Sequence, residues 1–77
     1  MKDSTVMEHI EKLVTEEERL YAKGDLNDSE IKQLDKIKVE LDRYWDFLRQ
    51  RRAYRNAGDD PEKAVLRSKK IVENYKQ

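Results

Sequence analysis

Apolar side chains recur every three or four residues along most of the chain, which is the spacing of one face of an α-helix. The first series predicts a helix over residues 5–23, with apolar positions at Val6, Met7, Ile10, Leu13, Val14, Leu20 and Tyr21. The second series predicts a longer helix over residues 28–57, with apolar positions at Ile31, Leu34, Ile37, Leu41, Tyr44, Trp45 and Leu48.

Short polar motifs mark the ends of these predicted helices. Thr5 and Glu8 fit a capping box at the start of the first helix, and Asn27 and Glu30 fit one at the start of the second. Gly24 suits the left-handed C′ position that ends many helices. Each motif supplies partners for backbone groups that a helix end leaves unpaired.

The predicted turn over residues 24–27 is too short for anything but an antiparallel hairpin. The helices differ in length, at about 28 Å and about 45 Å for 1.5 Å per residue. Folding about the turn brings Val6 near Trp45 and Leu48 in the helix–helix interface. The segment Arg49–Arg55 is then expected to project beyond the first helix without a partner in the hairpin.

The remaining residues, 58–77, form a predicted tail. Gly58 ends the second helix, and Asp60 followed by Pro61 is a helix-start sequence. Ala64, Val65 and Leu66 are expected to fold back on the projecting end, followed by a short helical segment with Ile71, Val72 and Tyr75 on one face. The predicted fold is all-α: one domain over residues 1–77, a coiled-coil-like antiparallel two-helix hairpin with a short helical C-terminal tail.

Composition makes the predicted core small. Hydrophobic residues make up 36% of the chain and charged residues 44%, with 17 basic and 17 acidic side chains. A domain below about 80 residues rarely gains more than a few kcal/mol from its core, and the chain has no Cys for disulfides. Small domains without disulfides commonly gain stability by self-association. We therefore expect a homo-oligomer, namely a dimer.

Although the net charge is zero, acidic and basic residues are unevenly distributed along the chain. Residues 1–30 carry four basic and nine acidic side chains, residues 31–58 eight and four, and residues 59–77 five and four. The total gives no general attraction to nucleic acid or anionic lipid, so only a local basic patch could provide one.

Such a patch lies in Arg49–Arg55, where four Arg surround one Tyr. Arg can bind phosphates while Tyr54 stacks on a base. The alternative is neutralisation by acidic residues, since Asp42, Asp46, Asp59, Asp60 and the acidic first helix are close in the predicted fold. Neutralisation is favoured because the chain has no net charge.

Aromatic residues accumulate just before this patch. Phe47 lies about 100° further round the helix than Asp46 and falls outside the hairpin interface, so it needs either the tail or a second subunit as cover. Aromatics beside Arg are typical of protein-interface hot spots, which favours a subunit contact. The candidate interaction surface is Trp45, Phe47, Leu48, Arg49, Arg51, Arg52, Tyr54 and Arg55.

Three polar residues interrupt or flank the apolar face. Glu17 and Lys38 either form a polar pair inside the interface or, as favoured, point to its rim with only their stems covered. His9 is the only His, and the Glu that a Glu-x-x-His metal motif would need is Val6. His9 is therefore interpreted as a solvated helix residue.

Enzymatic function is not expected. The chain has no Cys nucleophile, no Gly-rich phosphate loop and no carboxylate pair in an apolar setting, so no catalytic residue, metal or cofactor is assigned. A two-helix hairpin is also expected to lack a cleft of the few hundred Å³ that a substrate site needs. No membrane-spanning segment or signal sequence is apparent, which makes the cytoplasm the expected location.

A longer pattern carries a family resemblance. It comprises Leu41-Asp42, Trp45-Asp46, Leu48-Arg-Gln-Arg-Arg-Ala53, Arg55, Gly58, Asp60-Pro61, Ala64 and Arg67, with His9-Ile10, Leu13-Val14, Glu16-Glu17 and Leu20 upstream and Val72-Glu73, Tyr75 and Gln77 downstream. This pattern resembles a family of short bacterial proteins catalogued only as a domain of unknown function. The resemblance implies a small soluble bacterial protein and brings no established activity.

These residues predict a structural or protein-interaction module that self-associates through the aromatic and Arg-rich end of the second helix. In a variant of this hypothesis, the same end binds an unknown protein partner. The alternative is a nucleic-acid-binding protein that uses Arg49–Arg55.

Overall fold

The computed structural model describes the backbone of residues 2–75 and the side chains of residues 2–72. Its elements are α1 (Asp3–Lys23), α2 (Asp28–Asn56), a single 3₁₀ turn (Pro61–Lys63) and α3 (Lys69–Tyr75). The described residues are helical or irregular, and α1 packs against α2, which confirms the all-α hairpin with a helical tail. The end of the predicted tail, residues 76–77, lies outside the described residues.

Helix α1 begins two residues before the predicted start. Its N-cap residue is Lys2, which makes no capping hydrogen bond from its side chain, and Thr5 lies within the first turn. The predicted capping box at Thr5 is therefore wrong. The physical reason is a tertiary contact, because the Asp3 carboxylate in the first turn accepts hydrogen bonds from Arg51 and Arg55 of α2.

The turn between the helices confirms one predicted cap and corrects the other. Gly24 has φ +82° and ψ −59°, and the Asp25 N–H donates to the Lys23 carbonyl at 3.0 Å. This is a three-residue γ-turn rather than the left-handed helical conformation predicted. Both bonds of the second capping box form: Glu30 N–H to Asn27 Oδ1 at 2.8 Å, and Asn27 N–H to Glu30 Oε1 at 3.1 Å.

The hairpin core follows most of the predicted apolar face. Its buried side chains are Val6, Ile10 and Leu20 from α1 and Leu34, Ile37 and Leu41 from α2. The prediction that Trp45 lies in the hairpin interface is wrong, because 46% of its surface is exposed. At 100° per residue, Trp45 lies about 40° round the helix from Leu41 on the side away from Ile37, so it lies at the edge of the buried face and not at its centre.

A Schellman motif ends α2. Gly58 has φ +73°, its N–H donates to Arg55 O at 3.1 Å, and the Asp59 N–H donates to Tyr54 O at 2.8 Å. These two bonds satisfy carbonyls at the helix end. The predicted stop at Gly58 is confirmed, and it redirects the chain back along α2.

The tail packs against α2, as predicted. Asp60 caps the 3₁₀ turn by accepting from the Glu62 N–H at 3.0 Å. Ala64 is buried in the same cluster as Phe47, and Leu66 packs against that cluster. The sequence left two alternatives for covering Phe47, the tail or a second subunit. In the structure the tail covers it.

The resulting shape is elongated. The radius of gyration is 14.5 Å, against about 11 Å for a compact domain of this length, and the longest extent is 48 Å. None of the described helices is long and apolar enough to cross a bilayer.

Candidate interaction surface at the open end of the hairpin

Gln50 of α2 binds the backbone of the tail. Its Nε2 donates to the Val65 carbonyl at 2.8 Å, and its Oε1 accepts from the Val65 N–H at 3.1 Å. One amide side chain thus satisfies both backbone groups of an irregular segment, which aligns the tail along α2.

Asp46, one turn before Gln50, binds the tail through an ion pair with Arg67. It is only 2% exposed, and its two oxygens accept from Arg67 Nε at 2.9 Å and Nη2 at 2.7 Å. Gln50 Nε2 also donates to Asp46 at 2.9 Å, and Arg43 Nε donates to the Arg67 carbonyl at 2.9 Å. A buried carboxylate with a bidentate guanidinium and a further donor is a specific junction between α2 and the tail.

Arg51 joins three parts of the chain. It is 7% exposed and donates to Asp3 at the start of α1, to the Pro61 carbonyl at 3.3 Å and to Glu62 at 3.3 Å. The Arg51 guanidinium, with a smaller contribution from Arg55, lowers the pKa of Asp3, and Asp3 in turn raises the pKa of Arg51.

The prediction that Arg49–Arg55 lack a partner within the hairpin is therefore wrong for two of the four Arg. Arg51 and Arg55 both pair with Asp3, the latter at 2.9 Å. Helix α1 starts earlier than predicted, so it supplies an acidic residue at the level of these Arg side chains. Neutralisation was the favoured interpretation, and for these two Arg the acidic first helix provides it through Asp3. Glu62 in the tail, which was not among the predicted partners, also pairs with Arg51.

The other two Arg remain without ion pairs to any described residue. Arg49 and Arg52 are exposed and line an open cleft of about 480 Å³ together with Asp3, Met7, Trp45, Leu48 and Arg55. We call this the open-end cleft. Its presence corrects the expectation that the hairpin lacks a cleft of such size, and it forms because side chains of α2 extend beside the start of α1.

Helical geometry divides the predicted interaction surface into two faces. Trp45, Leu48, Arg49 and Arg52 are spaced three, four and seven residues apart and share the cleft side of α2. Phe47 and Arg51 are buried on the side towards the tail, and Tyr54 is half-buried against the core. The cleft residues that the sequence did not single out are Met7 and Asp3. The antiparallel register that places Val6 near Trp45 was the available signal for Met7.

Of the two polar residues that interrupt the apolar face, Lys38 lies at the rim, as favoured, and Glu17 is half-buried. Lys38 is exposed, with its Nζ 5.6 Å from the centre of the Tyr21 ring, and hydrogen bonding to Tyr21 raises the pKa of Lys38. His9 is exposed and stacks on Tyr44 with 5.2 Å between ring centres. Among the described residues no three His, Cys, Asp or Glu side chains converge in a way that would hold a metal ion.

Comparison with known proteins agrees with the sequence resemblance. A family model described as "protein of unknown function (DUF2630)" matches residues 2–77. The uncharacterized protein Rv0898c of Mycobacterium tuberculosis (strain ATCC 25618 / H37Rv) is 48% identical over 77 residues, covering 95% of this chain and 88% of that protein. The uncharacterized protein Mb0922c of Mycobacterium bovis gives the same identity and coverage. No solved structure matches the chain significantly.

Proposed function

The chain belongs to this family of proteins of unknown function, and we propose that it is a non-enzymatic protein-interaction module that self-associates through the open-end cleft. The observation that carries the proposal is the exposure of Trp45 and Met7, at 46% and 39%, beside two Arg that have no ion pair to a described residue. Trp and Arg around an apolar patch are the residues that most often dominate binding energy in protein interfaces.

A second copy of the chain is the partner that best suits this protein's size. The hairpin is elongated, and only Val6 and Leu20 rank as fully buried large side chains among the described residues. Small domains of this kind commonly complete their apolar burial by association. Covering Met7, Trp45 and Leu48 would add three large side chains to the core.

The cleft lining supports a binding role over a catalytic one. Its one carboxylate, Asp3, already accepts hydrogen bonds from Arg51 and Arg55. A carboxylate held in its charged form by two guanidinium groups is a weak general base, because its pKa is lowered away from neutrality.

Sedimentation across micromolar concentrations tests the proposal, supported by the emission of Trp45, the only Trp. Association should double the 9.3 kDa mass and shift the emission to shorter wavelength with rising concentration. Trp45→Ala should raise the dimer Kd at least tenfold, because Trp truncation at a hot spot costs about 2 kcal/mol or more. Val65→Ala is the matched control, since Val65 is 60% exposed in the tail. A monomer at every concentration would overturn the proposal.

Nucleic-acid binding is the second candidate, favoured by the exposed Arg49 and Arg52 on the same face as Trp45. Two phosphate contacts to a single strand predict a log–log salt slope of about −1.4, with Trp45 stacking on a base. Fluorescence titration with a single-stranded RNA oligonucleotide at low salt tests it, with Arg49→Gln/Arg52→Gln as the comparison. Absence of binding at low salt, or binding that the double variant leaves unchanged, would reject this candidate.

A further inference from the structure

Two groups of different chemistry lie next to each other along α2 in the open-end cleft. The first is Trp45, which is 46% exposed, and among the described residues no ring and no cation lies over its indole. The second is the pair Arg49 and Arg52, which are exposed and make no ion pair to a described residue. The cleft therefore presents an open aromatic surface followed by two unpaired guanidinium groups.

The third Arg of the cleft already has a partner. Arg55 Nη1 donates to Asp3 Oδ2 at 2.9 Å, and Asp3 is the one carboxylate among the described residues that line the cleft. Two positive charges thus remain, at Arg49 and Arg52. A phosphate monoester carries a charge of about −1.5 to −2 near pH 7 and three acceptor oxygens, which match two guanidinium groups. A carboxylate carries one charge and would leave one of the two Arg unpaired.

The spacing along α2 indicates how the aromatic group and the phosphate of a ligand are joined. At 1.5 Å per residue, Arg49 lies about 6 Å and Arg52 about 10 Å beyond Trp45 along the helix axis. In a nucleoside 5′-phosphate the sugar separates the base from the phosphate by a comparable distance. A phosphate attached directly to an aromatic ring lies closer to that ring and is a poorer match to both Arg positions.

We propose that the open-end cleft binds a mononucleotide, with its base stacked on Trp45 beside Met7 and its 5′-phosphate bonded by Arg49 and Arg52. The cleft volume of about 480 Å³ is in the range of small-ligand sites. Stacking on an aromatic side chain accepts any base, so the ligand class is a nucleoside phosphate without selection for one base. This inference goes beyond the proposed self-association and does not depend on it.

The supply of unpaired charge distinguishes this site from the nucleic-acid candidate. One phosphate group uses both Arg49 and Arg52, and the next Arg along the cleft, Arg55, is paired with Asp3. Further nucleotides of a strand would find no other unpaired Arg among the described residues of the cleft lining. We therefore expect one nucleotide to account for nearly all of the affinity.

Quenching of Trp45, the only Trp, tests the site with adenosine 5′-monophosphate (AMP) as the probe. The titration is made at a protein concentration at which sedimentation shows a monomer, because a second copy would cover the same cleft. AMP should quench the emission with saturation. Adenosine lacks the phosphate and phenyl phosphate lacks the sugar spacer, so each should bind about tenfold more weakly. A single-stranded oligonucleotide should bind only a few-fold more tightly than AMP.

A charge-matched pair of double variants completes the test. Arg49→Gln/Arg52→Gln should raise the Kd for AMP at least tenfold and leave that for adenosine unchanged, because only the phosphate contacts are lost. Lys32→Gln/Lys36→Gln removes the same charge from exposed positions on α2 outside the cleft lining, so it should change the Kd for AMP less than twofold. Circular dichroism checks that both variants keep their helices.

Three outcomes would overturn the inference: quenching by AMP that does not saturate, equal affinities for AMP and adenosine, or an affinity for AMP that Arg49→Gln/Arg52→Gln leaves unchanged. An oligonucleotide that binds more than tenfold more tightly than AMP would also overturn it, in favour of the nucleic-acid candidate. A chain that binds AMP but stays monomeric at every concentration overturns the proposed self-association alone.

Discussion

Asp46 and Arg67, 21 residues apart in sequence, are joined by two parallel hydrogen bonds of 2.9 and 2.7 Å. The Asp46 side chain is 3% exposed and that of Arg67 33%. This pair, Gln50 beside it and the Arg43 bond to the Arg67 carbonyl attach the irregular residues 64–68 to α2 by polar contacts.

Asp46→Asn should destabilise the protein by about 2–4 kcal/mol in the free energy of unfolding, because it leaves Arg67 facing a neutral amide in a largely buried junction. Urea unfolding measures the loss. Glu16→Gln is the matched control, since the Glu16–Arg19 pair is about half exposed, and it should change stability by less than about 0.5 kcal/mol. Equal effects of the two substitutions would contradict the anchoring role of Asp46.

Gln50→Ala should release the tail while leaving the hairpin folded. The substitution removes both hydrogen bonds to the Val65 backbone, each contributing about 1 kcal/mol net. Hydrogen exchange should therefore accelerate at the Val65 amide and remain slow at the core of α1. Acceleration of equal size in both places would show that the tail and the hairpin open as one unit.

Asn27→Ala should cost about 1 kcal/mol, because Asn27 accepts from the Glu30 N–H at the start of α2. Thr5→Ala should have little effect, because Thr5 lies inside the first turn and caps nothing. Thermal unfolding of the two variants distinguishes a real cap from a sequence motif that resembles one. A larger loss for Thr5→Ala would reverse this assignment.

Acid should weaken the open end of the hairpin. The pKa of Asp3 is lowered when folded, so its contribution is complete above the ordinary Asp pKa of about 3.9 and is lost as pH falls through the lower folded value. Asp3→Asn should therefore reduce the change in unfolding free energy between pH 5 and pH 2. An unchanged acid dependence in this variant would mean that other carboxylates account for it. The pKa values of Glu30, beside Lys23, and of Asp59, beside Lys63, are also lowered.

The hairpin was predictable because its signals are local. The apolar period, the Asn27 capping box and the stop at Gly58 each depend on residues within a turn or two of one another. Such features are retained in the folded protein, because the groups that satisfy them are neighbours in sequence.

Apart from the local conformation of Gly24, the errors concern contacts between residues far apart in sequence. Thr5 has the sequence of a cap, but Asp3 pairs with Arg51 of α2 and the helix starts earlier. Trp45 was assigned to the interface from its spacing alone, yet its position at the edge of the core face leaves it exposed. The roles of Asp46 and Gln50 had no local signal, because their partners lie in the tail.

Arg51 lies where the start of α1 meets the 3₁₀ turn. Its contact with Asp3 spans 48 residues, whereas the capping box at the turn spans three. Loop closure of the longer segment costs more entropy, so the turn end of the hairpin should form early in folding and the open end late. Arg51 can make all its contacts only when α1, α2 and the 3₁₀ turn have packed together. Removing the first few residues would therefore also weaken the packing of the 3₁₀ turn against α2.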